Sequence, residues 1–274
     1  MQVKKFGTYF PSRQGKILRF IISLGVSRGK SKRIFQFLWK KFVGNKSVDI
    51  YYNGLKLRVN PFGNTIASNI LFSSKIREKE ELKIIKNFTK PSTLFLDIGA
   101  NFGYYSLFVA GFGARRCISF EPQPILINRI NENRVINNFV DNIDIAPFAL
   151  GGGAGKVELQ IAKSGLGSSA IGRKIESSDS IEVEQKTLNT ALHEFKENKV
   201  DIIKIDVEGL EDEILYPYLS KLKKEYLPSL IIIEDNAADW NLNIIEWLKE
   251  TGYEQAGKTR GNVFLVKQEQ LDSD

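Results

Sequence analysis

Apolar positions in this chain fall into three patterns. Short continuous runs occur at Thr93–Leu96, Arg116–Phe120, Ile143–Phe148, Val200–Ile205 and Leu230–Ile233. Such runs are expected of strands covered on both faces. Helix-like stretches lie between them: Tyr104–Ala110, Pro122 to about Asn138, Thr187–Lys196, the segment through Leu215, and Leu242–Thr251. Strict strand–helix alternation predicts an α/β fold, a doubly wound, mostly parallel, seven-stranded sheet. Tyr253–Ala256 and Val263–Val266, joined by Lys258–Asn262, would close it with an antiparallel edge strand. Alternating residues form the third pattern. Val48–Val59 alternates around Asn53-Gly54, a strong hairpin signal, and Thr65–Asn87 then reads as one helix. Lys156–Ile161 and Ile181–Gln185 alternate on either side of the Gly/Ser-rich stretch Ala162–Ser180, predicting an inserted hairpin. The chain thus divides into a helical extension (1–48), a lead-in hairpin and helix (49–92), and a Rossmann-like domain (93–274) with an insertion at about 156–185.

Composition changes this picture in one place. The 274 residues are 42% hydrophobic and 11% aromatic, enough for a large core. The net charge of +7 is unevenly spread. Residues 1–48 carry twelve Lys/Arg and no Asp or Glu, leaving 27 bases against all 32 acids in the remainder. Within this basic arm Ile17, Leu18, Ile21 and Leu24 recur at helical spacing, as do Ile34, Phe35, Leu38 and Phe42. Two readings stand. The helices lie on an anionic membrane or an acidic polysaccharide, or they pack on the domain or on a sister subunit with a basic outer face. Nucleic acid ranks third, because no binding motif accompanies the charge. The single cysteine, Cys117, sits in an apolar run and reads as a buried thiol, and the single histidine, His193, falls in a helix. Neither supports a metal site. Arg19 interrupts the run Ile17–Ile22, no convincing cleavage site follows, and no apolar stretch is long enough to span a bilayer. The expected setting is cytoplasmic, with peripheral contact at the inner membrane face as an option for the arm.

Chemistry concentrates around Thr93–Leu107. An apolar run ends in Asp97, turns through Gly99-Ala100-Asn101-Phe102-Gly103 and re-enters an apolar helix. The glycines permit a sharp turn and close ligand approach, and the helix aims free N–H groups at the ligand. Three acids stand at strand ends: Asp97 ends the first core run, Glu121 the second and Asp206 the fourth. In an open α/β sheet they share one edge, at the switch point where ligands bind. Glu121, about twenty residues beyond the turn, is placed to accept from both hydroxyls of a ribose. The dinucleotide pattern Gly-x-Gly-x-x-Gly is absent, since Asn101 holds the middle position. An acid just before the turn suits a cofactor with a cationic, donor-rich end better than a pyrophosphate, which argues for the methyl donor S-adenosyl-L-methionine.

The segment Asp97-Ile98-Gly99-Ala100-Asn101-Phe102-Gly103-Tyr104-Tyr105-Ser106 resembles the first motif of the FkbM-type S-adenosylmethionine-dependent methyltransferases. Phe120-Glu121-Pro122, Ala149-Leu150-Gly151 and Lys204-Ile205-Asp206-Val207-Glu208-Gly209 are similar to that family's later motifs in order and spacing. The resemblance covers about Phe62–Val266 and leaves out the arm. One departure is Thr187-Leu188-Asn189, where the family shows Leu-Asp. The resemblance implies that Gly99, Ala100, Asn101 and Gly103 hold the methionine part of the donor with Asp97 nearby. It implies that Glu121 binds the ribose hydroxyls, that Phe148 and Ala149 border the adenine, and that Asp206 lies close to the transferring methyl with Glu208 beside it.

Transfer to a hydroxyl is assisted by a general base. Asp206 is the first candidate and Glu208 the second, although Glu208 also reads as a first-turn acid stabilising its helix. Lys204, within the strand, is expected to pair with an acid instead. Gly165–Ser169, including Ser168 and Ser169, is expected to cover the acceptor. What the resemblance implies for that acceptor is a hydroxyl on a natural product, sugar, glycan or glycolipid. The rivals are a nucleic-acid methyltransferase using the basic arm and a non-catalytic adenosine-binding scaffold. Homo-oligomerisation is left open.

Overall fold

The computed structural model describes residues 2–27, 30–73, 78–162, 169–171 and 178–268. Its centre is a seven-stranded sheet of β3 (Leu94–Ile98), β4 (Arg116–Phe120), β5 (Ile143–Ala146), β10 (Ile202–Ile205), β11 (Leu230–Glu234), β12 (Tyr253–Lys258) and β13 (Asn262–Lys267). The spatial order is β12-β13-β11-β10-β3-β4-β5. All pairings from β5 to β11 are parallel, and β13 runs antiparallel between β11 and the edge strand β12. The chain leaves β3 outward to β4 and β5, then returns to lay β10 on the other side of β3. The switch point therefore falls between β3 and β10.

Alternation along these strands splits the core. Phe95, Cys117, Ile202 and Ile232 face α4 (Lys79–Phe88), α5 (Tyr104–Gly111) and α6 (Pro124–Ile136). Leu96, Ile118, Ile203, Ile205 and Ile231 face α7 (Leu188–Glu194), α8 (Glu211–Leu219) and α9 (Ile244–Glu250). Both faces are covered, which is why the strands read as unbroken apolar runs. Cys117 is buried in β4.

Several local expectations are corrected. β3 extends two residues beyond Leu96, placing Asp97 inside the strand. The expected helix over Thr65–Asn87 is two helices, α3 (Thr65–Phe72) and α4, because Ser73 is extended and ends α3. The α6 helix starts at Pro124 rather than Pro122, with Gln123 as its N-cap. At the Thr187-Leu188-Asn189 departure it is Thr187 that caps α7, accepting from the N–H of Thr190. The hairpin of β1 (Val48–Tyr52) and β2 (Leu55–Val59) forms as expected, and Asn53 and Gly54 both take positive φ as its two-residue turn requires. The insertion is a four-stranded sheet of β6 (Ala149–Leu150), β7 (Gly155–Ala162), β8 (Ser169–Ile171) and β9 (Ser178–Lys186) in the order β6-β9-β7-β8. Part of the stretch read as loop is therefore strand β8.

The basic arm packs on the domain. It forms α1 (Arg13–Ile21), a wider turn over Ile22–Val26, and α2 (Lys30–Phe42). Leu18, Ile22 and Trp39 enter the core beside Phe72. Arg19 donates to the carbonyls of Ile70 and Leu71, Ser27 to that of Phe72, and Lys32 to Asn69 Oδ1. The bonds from Arg19 and Ser27 occupy the last three backbone carbonyls of α3. At the start of the chain, Asp49 Oδ2 accepts from the N–H groups of Gly7 and Tyr9, while Asp49 Oδ1 pairs with Arg58 Nε at 2.8 Å. Arg58 also donates to the carbonyls of Lys4 and Lys5 and stacks on Tyr9. Both side chains of this pair are buried. Asp49→Ala would strand a buried guanidinium and two backbone N–H groups, so we expect a loss of about 3–5 kcal/mol. Urea unfolding should show it, with Asp49→Asn, which keeps an acceptor, losing less.

Candidate active site

The site begins with the turn after β3. Gly99 and Ala100 both donate to the carbonyl of Phe120 at 3.1 and 3.0 Å, and Asp206 N–H donates to the carbonyl of Ile98 at 3.0 Å. The ends of β3, β4 and β10 are thereby locked together. Gly99 has φ +78°, and a Cβ there would overlap the carbonyl oxygen of Asp206. Only glycine fits. Asn101 follows in the left-handed region, which Asn tolerates better than most residues. Its side chain accepts from Asn64 Nδ2 at 2.7 Å, and Asn64 in turn caps α3 through the N–H of Ala67. The lead-in segment is thus fastened to the glycine turn.

A cavity of about 320 Å³ opens at this switch point, a volume suited to a small-molecule ligand. Gly99, Ala100 and Asn101 form its floor. Glu121, Phe148 and Ala149 line one side, and Lys204, Asp206, Glu208 and Glu234 another. Thr65, Ile66 and Glu78 close it from the lead-in, while Leu159 and Ile171 reach in from the insertion. Glu121 is buried and accepts from Asn101 N–H at 2.8 Å and Gln123 N–H at 3.0 Å. Burial pushes its carboxyl up to about 8, and these two N–H groups only partly oppose the rise. Phe148 stacks edge-on against Phe120 and lies under Lys186 Nζ at 4.4 Å.

At the end of β10, Lys204 is buried and donates to Asp206 Oδ2 at 2.8 Å, above the ring of Tyr105. Burial alone would lower the Lys204 pKa, but Asp206 and Asp97 raise it on balance. Burial opposes ionisation of Asp206, yet Lys204 holds its carboxyl below the usual range. Glu234 moves the other way, because burial and the adjacent Asp206 favour its protonated form. The parallel register that sets Ile205 against Ile233 brings these two strand-ending acids together. The following loop is fixed by Glu211, a buried first-turn acid of α8 that accepts from Val207 N–H, Gly209 N–H and Trp240 Nε1. Glu208 lies in that loop with φ +61°, a strained conformation for a side-chain-bearing residue.

Of the residues singled out from sequence, Gly99, Ala100, Asn101, Glu121, Phe148, Ala149, Asp206 and Glu208 all meet at this cavity. Two do not. Asp97 is fully buried and turns away, accepting from Ser106 N–H and Oγ at 3.0 and 2.7 Å. It fixes the start of α5, and burial raises its pKa. Gly103 is the left-handed cap of α5, where a Cβ would press on Ile130. Ser168 lies outside the described residues, and Ser169 begins β8, paired with Ile161. Sequence reasoning missed Glu234, Glu78, Tyr104, Tyr105, Thr65 and Ile66. For Glu234 the signal was present: Ile233-Glu234 repeats the apolar-then-acid ending of Ile205-Asp206 on the neighbouring strand.

Residues 97–254 match the family model of the Methyltransferase FkbM domain. A curated relative, the methyltransferase sdnD of Sordaria araneosa, is 26% identical over 46% of this chain, and the match spans 60% of that relative. The chain is also similar to the solved methyltransferase FkbM of Methylobacillus flagellatus KT (TM-score 0.43, 12% identity, 73% of this chain and 52% of that one). A similar likeness holds to an rRNA methylase from Streptococcus thermophilus (TM-score 0.42, 11% identity, 70% and 97%).

The raised Glu121 carboxyl has a measurable consequence. The folded protein holds this proton more tightly than the unfolded chain does. Its contribution to stability is therefore complete below about 4.5 and declines as pH rises to about 8. Urea midpoints at pH 5 and pH 8 should show a fall for the native protein and a smaller fall for Glu121→Gln, since Glu234 shifts in the same direction. An undiminished fall in the variant would refute the assignment.

Proposed function

The chain belongs to the FkbM family of S-adenosylmethionine-dependent methyltransferases, and from that premise we propose that it methylates a hydroxyl group on a sugar, glycan or glycolipid. One observation carries the reading. Among the described residues lining the cavity, Glu78, Glu121, Asp206, Glu208 and Glu234 face a single ammonium, Lys204, which is already paired with Asp206. Burial favours the protonated forms of Glu121 and Glu234, yet the lining still offers acidic groups and a single base already paired, which suits a cationic, phosphate-free donor and a neutral acceptor better than a phosphodiester backbone.

The residues fit S-adenosylmethionine. Glu121 offers a carboxylate to vicinal ribose hydroxyls, Phe148, Ala149 and Leu150 form an apolar wall for a purine, and the turn at Gly99–Asn101 leaves room for the amino-acid end. When bound, the donor supplies a methyl carbon on a positively charged sulfur. The protein's share is to position the acceptor and dispose of its proton. Asp206, kept ionised by Lys204, accepts a hydrogen bond from the acceptor hydroxyl and takes its proton as that oxygen becomes alkylated. Glu234, protonated beside it, supports the charge on Asp206, and Glu208 stands second for the same task.

Calorimetry with S-adenosylmethionine tests the donor half. Glu121→Ala should weaken binding by roughly 10- to 100-fold, the scale of a lost pair of hydrogen bonds to a charged group. Affinity in the native protein should strengthen as pH rises toward about 8, because the hydroxyls bind the ionised form. Labelled methyl transfer to sugars, lipid-linked saccharides and small alcohols tests the acceptor half. Asp206→Asn should cut turnover by roughly 10²- to 10⁴-fold while changing donor affinity far less. Tight donor binding without transfer to any hydroxyl acceptor would overturn the reading in favour of a scaffold, and transfer to RNA or DNA would overturn it in favour of the nucleic-acid alternative.

A further inference from the structure

The helical arm buries only one of its two apolar faces. On α1 and the turn after it, Gly15, Leu18 and Ile22 are buried, whereas Ile17, Phe20, Ile21 and Leu24 point outward, Phe20 and Leu24 each 65% exposed. The outward set recurs at i, i+3, i+4 and i+7, a single stripe opposite the packed one. On α2, Trp39 is buried with Phe35 and Leu38 packed beside it, whereas Ile34, Phe37 (65%) and Phe42 are exposed. The helices pair antiparallel, with Ser12 Oγ bonded to the carbonyl of Phe42 at one end and Ser31 Oγ to that of Val26 at the other. Exposed Arg13, Lys16, Arg33, Lys40 and Lys41 accompany the stripes, and the first 48 residues contain no acid.

We propose that this outward face of α1 and α2 docks on an anionic lipid bilayer, lying in the headgroup plane with Phe20, Leu24 and Phe37 reaching the acyl boundary and the lysines and arginines meeting lipid phosphates. The side chains discriminate between occupants. An acidic polymer would satisfy the bases but leave the apolar stripes in water. A second copy docking through the same face would set bases against bases with no acid to pair them. Only a surface that is negative outside and apolar beneath satisfies both sets. The placement also links docking to the cleft: Arg19 and Lys32 grip α3, whose first residues Thr65 and Ile66 line the cavity. The proposal does not depend on which acceptor is methylated.

The test is co-sedimentation of the full chain with phosphatidylcholine vesicles, with and without about 30% phosphatidylglycerol. The native protein should bind only the anionic vesicles, and added salt should weaken that binding. The triple variant Phe20→Ser/Leu24→Ser/Phe37→Ser should lose at least about tenfold in partitioning with its melting temperature unchanged, because all three side chains are solvent-facing. Independently of that variant's folding, Phe20→Trp should shift its emission to the blue on anionic vesicles. Three outcomes would overturn the proposal: equal binding by the triple variant, no emission shift, or a solution dimer by light scattering that the triple variant converts to monomer.

Discussion

Position 99 carries no side chain because the backbone of Asp206 occupies the space one would need. This contact between two strand ends, more than a hundred residues apart in sequence, sets the geometry of the site. With Gly99 and Ala100 bonded to Phe120 and Asp206 bonded to Ile98, three strand termini become one rigid edge. Each acid that follows a terminus inherits its position from that edge. Glu121 can therefore hold Asn101 N–H while facing the cavity, and Asp206 can sit one residue past the sheet beside Glu234. The chemistry depends on backbone packing first and on side-chain choice second.

Charge within the edge is arranged in depth. Lys204 is buried with Asp97 beside it on the neighbouring strand, Asp206 at its ammonium and Tyr105 beneath. A lone buried ammonium would lose its proton, and the two carboxylates prevent this. The same arrangement sorts the acids. Asp206, next to Lys204, stays ionised at the cavity wall, while Glu234, one strand further, bears the cost of a second nearby negative charge and keeps its proton. Two chemically similar groups are driven to opposite protonation states, Asp206 by its bond to Lys204 and Glu234 by burial and the charge of Asp206.

Much of this was legible in the sequence because it depends on local pattern. Unbroken apolar runs announce strands covered on both faces, Asn53-Gly54 announces its hairpin, and strand-ending acids announce an edge. What escaped depends on parity and register. Asp97 looks like a site acid if β3 stops at Leu96, but the strand continues to Ile98 and turns the carboxylate inward to Ser106. Glu234 acquires its role only from the register that aligns Ile233 with Ile205. Glu78, Thr65 and Ile66 come from a lead-in that carries no motif, and the bond of Asn64 to Asn101 sets Thr65 and Ile66 beside the glycine turn. The apolar positions of the arm were visible as stripes, but the sequence could not divide them into a packed face and an outward one. Tertiary burial makes that division, separating Leu18 from its neighbours Ile17 and Ile21.

That division explains why the net charge of +7 is a poor guide to partners. The bases are concentrated on an arm of two helices, and the acids lining the cavity lie one helix away, beyond α3. A polyanion drawn to the arm would still meet acidic groups at the cavity, so attraction at one surface is not by itself attraction at the other. An acceptor with a neutral, hydroxylated reacting end faces no such barrier, even when its far end is anionic and held at a membrane. Lipid-linked saccharides have that form. Under the docking proposed above, separating a basic, apolar face from an acidic cavity would favour amphiphilic acceptors over uniformly charged polymers, and it would do so by position rather than by a contact to any one base or sugar.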